Sequence, residues 1–172
     1  MAIKMAVKKT GRAPTRQVPD LTGMLKHAGH VLETQLTAAL AEIGMTPRMQ
    51  CVLGHALAEE RTQNQLAELA YLDKTTMVVT VDALEKAGLA ERKPSATDRR
   101  ARIIEVTPAG AKLAAEGQRI VDHVHAKVLS AVPDNGGPTF ATALATLVTG
   151  QLATPAETAP QSPQVRRPRQ KS

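Results

Sequence analysis

The sequence contains very few aromatic residues and only one cysteine. Its 172 residues include one Tyr, one Phe, one Cys and no Trp. Modules that bind single-stranded nucleic acid or RNA stack bases on aromatic side chains, and Tyr71 and Phe140 alone cannot form such a platform. The lone Cys51 excludes an intramolecular disulfide and a zinc site built from several cysteines. It lies in an apolar helical stretch, where a buried and inert thiol is the usual arrangement.

Long apolar runs and catalytic motifs are missing as well. No apolar stretch approaches the roughly 20 residues that span a bilayer, and no apolar core of a signal peptide follows the start. We therefore expect a cytoplasmic protein without a membrane partner. The sequence has no glycine-rich phosphate loop, nucleophile elbow, His-Glu-x-x-His motif or paired carboxylates with a partner base. It predicts no enzyme, no cofactor and no metal site.

Positive charge is concentrated in a few segments. The net charge of +6 includes +5 from residues 1–19 and +3 from residues 153–172, which leaves −2 for residues 20–152. We interpret 1–19 as a disordered basic arm and 153–172 as a disordered basic tail. Within the central part, residues 86–102 carry a local +4. An acidic body with one basic loop is typical of nucleic-acid binding, with a merely solvated loop as the alternative.

Residues 62–106 have the pattern of two short helices followed by a hairpin. Thr62 with Gln65 three residues later is a capping box that starts one helix. Asp73 is the expected N-cap of a second helix, which ends at Gly88. The strand-like stretches LAERK and RIIEV then enclose a polar turn. Two helices joined by a tight turn and followed by a basic hairpin form a winged helix-turn-helix, which binds duplex DNA.

Long amphipathic helices flank this DNA-reading head on both sides. Apolar residues at spacings of three and four follow Asp20, and Thr46-Pro47 opens a further helix. Thr107-Pro108 opens another long helix, which is followed by a last one. We expect residues 20–44 and 107–152 to be dimerisation helices, which would hold two heads about 34 Å apart over a pseudo-palindrome. An all-α monomer is the alternative.

The span from Asp20 to Leu152 resembles the multiple-antibiotic-resistance regulator (MarR) family of bacterial winged-helix repressors. The stretches that carry the resemblance are TPRMQCVLGHAL, QNQLAELAYLDKTTMVVTVDALEKAGLAERKPSATDRRARIIEVTPAG and the long helix after them. The resemblance implies one domain over 20–152, mainly α with a small β-hairpin wing, in the order αααα-ββ-αα. It also implies a homodimeric regulator of transcription whose partner is double-stranded DNA. A small ligand or an oxidant would relieve this transcriptional control.

Carried over by position, the resemblance assigns DNA contacts to the second helix of the head, the recognition helix, and to the wing. The residues are Lys74, Thr75, Thr76, Thr80, Asp98, Arg99, Arg100 and Arg102. Thr80 lies one turn after Thr76 and is expected to share its face. Arg100 is expected in the minor groove, with Asp98 orienting it, and the neighbouring arginines on phosphates.

The middle of the recognition helix departs from the family pattern. Many members carry a polar or arginine residue there, whereas this chain has Met77, Val78 and Val79. Val78 or Val79 either contacts thymine methyl groups or is packed in the interior.

The effector side is indicated only by the resemblance. Members that sense small aromatic acids bind them between the first helices and the long helix after the wing, where the candidate residues here are His27, His30, Arg48, Met49 and His55. Arg48 could pair with a carboxylate, and His27 with His30 could bind an acid or supply half a metal site. A surface arginine and partly exposed histidines are the alternative. The rival functions for the whole protein are a regulator that responds to a metal or to thiol oxidation, and a winged helix that binds another protein.

Replacement of Arg100 by Ala tests the wing assignment. Loss of an arginine from the minor groove is expected to weaken operator binding by roughly 1–3 kcal/mol while the fold stays intact. The measurement is a duplex-binding titration alongside a circular dichroism spectrum. An unchanged affinity would show that the wing assignment is wrong.

Overall fold

The computed structural model describes residues 19–95 and 101–154, and these residues form six α-helices and one β-hairpin. The elements in chain order are α1 (Leu21–Ala41), α2 (Pro47–Ala58), α3 (Gln63–Leu69), α4 (Lys74–Lys86), β1 (Ala90–Pro94), β2 (Arg102–Val106), α5 (Pro108–Ser130) and α6 (Gly137–Thr149). A short 3-10 helix, Pro133–Asn135, precedes α6. The predicted order αααα-ββ-αα and the mainly α winged helix-turn-helix fold are confirmed. No described helix is both long and apolar enough to cross a membrane.

Most helices begin at the side-chain caps that the sequence indicated. Asp20, Thr46 and Asp73 each accept a hydrogen bond from the backbone N–H three residues later. Thr62 and Gln65 form the complete capping box, in which each side chain satisfies the backbone N–H of the other residue. These bonds occupy donors that have no partner inside a helix, and they set where α1 to α4 begin.

The chain divides into two compact units at Val124, within α5. The first unit has its hydrophobic core between α4 and the elements that pack against it. The fully buried large side chains are Leu40 of α1, Met45 of the turn before α2, Val52 and Leu53 of α2, Leu66 of α3, and Met77, Val81 and Leu84 of α4. The apolar residues of α4 at spacings of four and three, Met77, Val81 and Leu84, are therefore its buried face, and Ile104 of β2 joins the same core.

The wing is an antiparallel pair in which Ala90 lies opposite Val106 and Pro94 lies opposite Arg102. An isolated bridge joins Thr62 to Ile103, and the N–H of Ile104 donates to the carbonyl of Arg61. The segment before α3 thus pairs with the second strand of the wing. This pairing attaches the hairpin to the start of the helix-turn-helix.

The second unit contains the end of α5 and α6, and its apolar side chains are largely exposed. The exposed large apolar residues are Val128 of α5, Phe140, Leu147 and Val148 of α6, and Leu152 beyond it. Such a stripe gains free energy of burial only if it meets another apolar surface.

Replacement of Gly110 by Ala tests how closely α5 approaches the end of α4. A Cβ at Gly110 would lie 1.9 Å from the backbone oxygen of Leu89, which is fixed by its bond from the Thr107 N–H. We expect the free energy of unfolding to fall by about 1–3 kcal/mol in denaturant titrations, because backbone must shift. Gly54 of α2 is the matched control, since a Cβ there meets nothing within 4 Å. Its replacement by Ala should stabilise by about 0.5–1 kcal/mol, and a similar loss at both glycines would contradict the packing argument.

Candidate nucleic-acid interface

One face of α4 is buried in the core and the opposite face is exposed. The exposed residues are Lys74, Thr75, Val78, Val79, Asp82, Ala83 and Lys86. Because about 3.6 residues make a turn, Thr75, Val79 and Lys86 form one ridge opposite the buried stripe. Lys74 and Thr75 are the first two residues of the helix, where backbone N–H groups have no partner within the helix and favour phosphate. This ridge is the surface that the helix offers to a partner.

The start of α4 is fixed by Asp73 and Thr76. One carboxylate oxygen of Asp73 accepts from the Thr76 backbone N–H at 2.9 Å, and the other accepts from the Thr76 hydroxyl at 2.6 Å. These bonds lower the pKa of Asp73, the side-chain bond having the largest effect. The hydroxyl proton of Thr76 is therefore committed to the cap. Thr76 can still accept a hydrogen bond, and its contact with DNA stays a prediction.

Thr80 does not lie on the exposed face, contrary to the expectation from its spacing to Thr76. Its exposed fraction is 7%, and its hydroxyl donates to the Thr76 carbonyl at 2.7 Å. Thr76 lies at the border of the buried stripe, so the residue one turn later falls toward the core. Val78 and Val79 are exposed instead, at 42% and 63%, which decides against the packed alternative for both.

Arg92 of β1 holds the wing against the recognition helix. Its guanidinium forms ion pairs with Asp82, at 2.7 Å, and with Glu85, and it also donates to the Val78 carbonyl. The side chain of Gln63 in α3 accepts a further bond at 3.0 Å. Arg92 contributes to the basic charge of the hairpin, but the carboxylates of Asp82 and Glu85 in α4 neutralise its positive charge.

The charge of Lys93 is balanced as well. Its ammonium lies 2.5 Å from a carboxylate oxygen of Glu105 on the neighbouring strand. This hydrogen bond raises the pKa of Lys93. Arg102 is exposed at the start of β2. The predicted wing-tip residues Asp98, Arg99 and Arg100 lie outside the described residues.

A cavity of about 440 Å³ lies between α1, α2 and α5 in the first unit. Its lining residues are Leu36, Leu40, Pro47, Gln50, Cys51, Gly54, His55, Gln118 and Val121. Its volume lies in the range of small-molecule sites, and its wall is apolar with a few polar groups. Of the predicted effector residues, this cavity contains only His55. Gln50, which sequence reasoning missed, reaches across to α5 by donating to the Ala114 carbonyl at 3.0 Å.

Arg48 and Met49 line a different, slightly smaller cavity of about 380 Å³. Its other walls are Glu33 and Thr37 of α1, Thr46 and Pro47, and Val79, Thr80 and Ala83 of α4. His27 and His30 are exposed on α1 and line neither of these cavities. The five predicted effector residues are thus separated, and a pocket that unites them is not present in the described parts of the chain.

Cys51 is a half-buried thiol in the wall of the first cavity. Desolvation raises its pKa, which disfavours the reactive thiolate. Among the described residues, no three His, Cys, Asp or Glu side chains come together as a metal site would require.

Comparison with known proteins agrees with this architecture. Residues 43–101, from the end of α1 through the start of the wing, match the family model described as MarR family. The matched residues include the whole of α2, α3, α4 and β1, so the segment that is similar to the MarR family contains the recognition helix.

Solved structures of MarR-family proteins extend the similarity to most of the described chain. A MarR-family transcriptional regulator from Rhodococcus sp. RHA1 is 26% identical, with a TM-score of 0.68 over 74% of this chain and 91% of that one. The transcriptional repressor CouR bound to a 23-mer DNA duplex is 27% identical, with a TM-score of 0.67 over 74% and 92%. CouR from Rhodococcus jostii RHA1 bound to p-coumaroyl-CoA is 26% identical, with a TM-score of 0.67 over 83% and 100%.

Sequence reasoning assigned no role to Tyr71 in the turn before α4. Tyr71 has a positive φ of 52° and an exposed fraction of 89%. A non-glycine residue in this conformation is strained, and the ring gains no burial in compensation. The turn between α3 and α4 therefore presents an aromatic side chain beside the start of the recognition helix. Its exposure could not be predicted from the sequence, because the stretch Ala70-Tyr71-Leu72 continues the apolar pattern of α3.

Replacement of Arg92 by Ala tests the link between wing and recognition helix. Loss of a mostly buried cation leaves Asp82 and Glu85 without this partner, and we expect the free energy of unfolding to fall by about 1–3 kcal/mol. Denaturant unfolding measures the change. Replacement of the more exposed Lys93 by Ala is the matched control on the same strand, and its effect should be much smaller. Equal losses for both variants would show that Arg92 has no special role.

Proposed function

We propose that this protein is a sequence-specific duplex-DNA-binding regulator of transcription, acting as a homodimeric repressor on a pseudo-palindromic operator. The observation that carries the proposal is the exposed ridge of α4, which projects from a MarR-family winged helix-turn-helix. A helix presented in this way fits the major groove of duplex DNA. The relative CouR, solved on a 23-mer DNA duplex, supports the same use of the fold here. A role on the bacterial chromosome would locate the protein in the cytoplasm.

The proposed contacts separate into positioning and reading. Lys74 and the free N–H groups at the start of α4 bind phosphate, and Thr75 contacts phosphate or a base edge. Arg100 and its neighbours at the wing tip enter the minor groove, as the family resemblance implies. Phosphate contacts supply much of the affinity, and they make binding weaker as the salt concentration rises.

A homodimer would cover the apolar residues that the described chain leaves exposed. Leu21 and Met24 at the start of α1 are exposed, as are Phe140 and Val148 of α6. Burial of such side chains stabilises each by about 1.5–3 kcal/mol when it is complete. Two copies related by a two-fold axis would present two heads to the two halves of an inverted repeat.

A small-molecule effector is part of the proposal, with the cavity between α1, α2 and α5 as its site. The cavity has a suitable volume, and CouR has been solved with p-coumaroyl-CoA bound. An occupant would contact α5 and α2 together, so it would shift any equilibrium between two arrangements of these helices. The raised pKa of Cys51 makes a thiol-based signal the weaker alternative.

The experiment that tests the function is selection of duplexes from a random library by the purified full-length protein. The recovered duplexes are then titrated across a salt series with excess non-specific competitor. We expect an inverted repeat that binds one dimer and survives the competitor, while affinity falls with salt. Selected duplexes can next be used to find small acids or acyl thioesters that release the protein. Recovery of no common sequence, with affinity that the competitor removes, would refute the proposed function.

A further inference from the structure

We propose that Val79 is a specificity-determining residue that reads a thymine methyl group in the operator. The inference rests on the proposed function and adds to it the identity of a base-reading side chain. It begins from a feature that the stability of the helix does not require. A β-branched apolar residue, exposed at 63%, occupies the middle of the exposed ridge of α4.

The position of Val79 excludes a role in the core. It lies one turn after Thr75 and on the opposite side of the helix from Met77, Val81 and Leu84, which are buried. Valine is also a poorer helix former than Ala or Lys, which are common on exposed helical faces. The folded chain therefore gains little from a valine at this position. A gain arises when the exposed methyl groups are covered by a partner.

The chemistry of the major groove offers one apolar feature to such a side chain. Thymine carries a C5-methyl group there, whereas the other edges present hydrogen-bond donors and acceptors. The χ1 angle of valine in a helix is nearly fixed, so its two methyl groups are already in place before binding. Little side-chain entropy is then lost on contact. Val79 is therefore suited to favour a T·A pair over a C·G pair at the base that it faces.

The surroundings of Val79 distinguish it from Val78. Val78 is less exposed and lies on the side of α4 that carries Asp82 and Glu85, the two carboxylates that hold Arg92. That side of the helix is occupied by the first strand of the wing. Val79 lies on the exposed ridge between Thr75 and Lys86, which can bind the flanking DNA backbone, and it also lines the cavity of about 380 Å³ beside the start of α2. The geometry thus points to Val79 as the reader and makes Val78 the matched control.

The test combines removal of one methyl group from DNA with removal of the valine side chain. The probe is the tightest duplex from the selection experiment, in which each thymine is replaced singly by deoxyuridine. Dissociation constants are measured for the wild type, Val79→Ala and Val78→Ala at one salt concentration. The loss of a buried methyl contact should weaken wild-type binding about fourfold at one thymine in each half-site.

The expected signature is non-additivity. Val79→Ala removes the contact in both half-sites and should bind the thymine duplex roughly 16-fold more weakly than the wild type, whereas the same single uracil replacement should change its affinity less than twofold. Val78→Ala should keep the wild-type response to uracil. Low-salt binding to non-specific DNA should be unchanged for both variants, and their thermal stability should be equal to or slightly above that of the wild type, because both side chains are exposed and alanine is the better helix former.

Several outcomes would overturn the inference. Additive losses in Val79→Ala, or a thymine methyl that couples to Val78 instead, would remove Val79 as the reader. If no uracil replacement in the selected duplex weakens binding by the wild type, Val79 reads no thymine methyl group. The proposed function would still stand in that case. Failure of the selection itself would refute the proposed function and this inference together, and would favour a protein partner for the exposed valines.

Discussion

Burial of one face of the recognition helix is the constraint on which the rest of the head depends. Met77, Val81 and Leu84 are withdrawn from water into the core formed with α2 and α3, and this fixes how α4 is rotated about its axis. Every other residue of the helix then has a determined direction. The same burial that stabilises the fold therefore selects which side chains are available to a partner, before any residue is considered for its chemistry.

Sequence patterns predicted the elements well because the signals were local. Capping residues such as Asp73 and Thr62 act within one helical turn, and a left-handed glycine such as Gly88 ends a helix through its own backbone, at a φ of 68°. The apolar period of α4 was equally clear. These features depend on neighbours three or four residues away, which is the distance over which a sequence can be interpreted without a structure.

The candidate site was less predictable because its geometry depends on distant contacts. The spacing of Thr76 and Thr80 correctly placed them on one side of α4, but it could not show that this side borders the core. The positive charge of Arg92 was counted toward the wing, whereas the fold brings Asp82 and Glu85 against it. Arg48 and His55 belong to one helix, yet they line different cavities. The helical period predicts the direction in which a side chain points, but it does not predict which other elements of the fold lie in that direction.

The contact made by Arg92 has a consequence for how a signal reaches the DNA. It links β1 to α3 and α4 at once, through Gln63, Val78 and the two carboxylates. Groups joined in this way resist separate movement, because displacement of one would leave charges without partners in a partly dry environment. The recognition helix and the base of the wing are therefore expected to move together as one rigid body. A force applied to the recognition helix is passed to the base of the wing, and a force on the wing is passed to the helix.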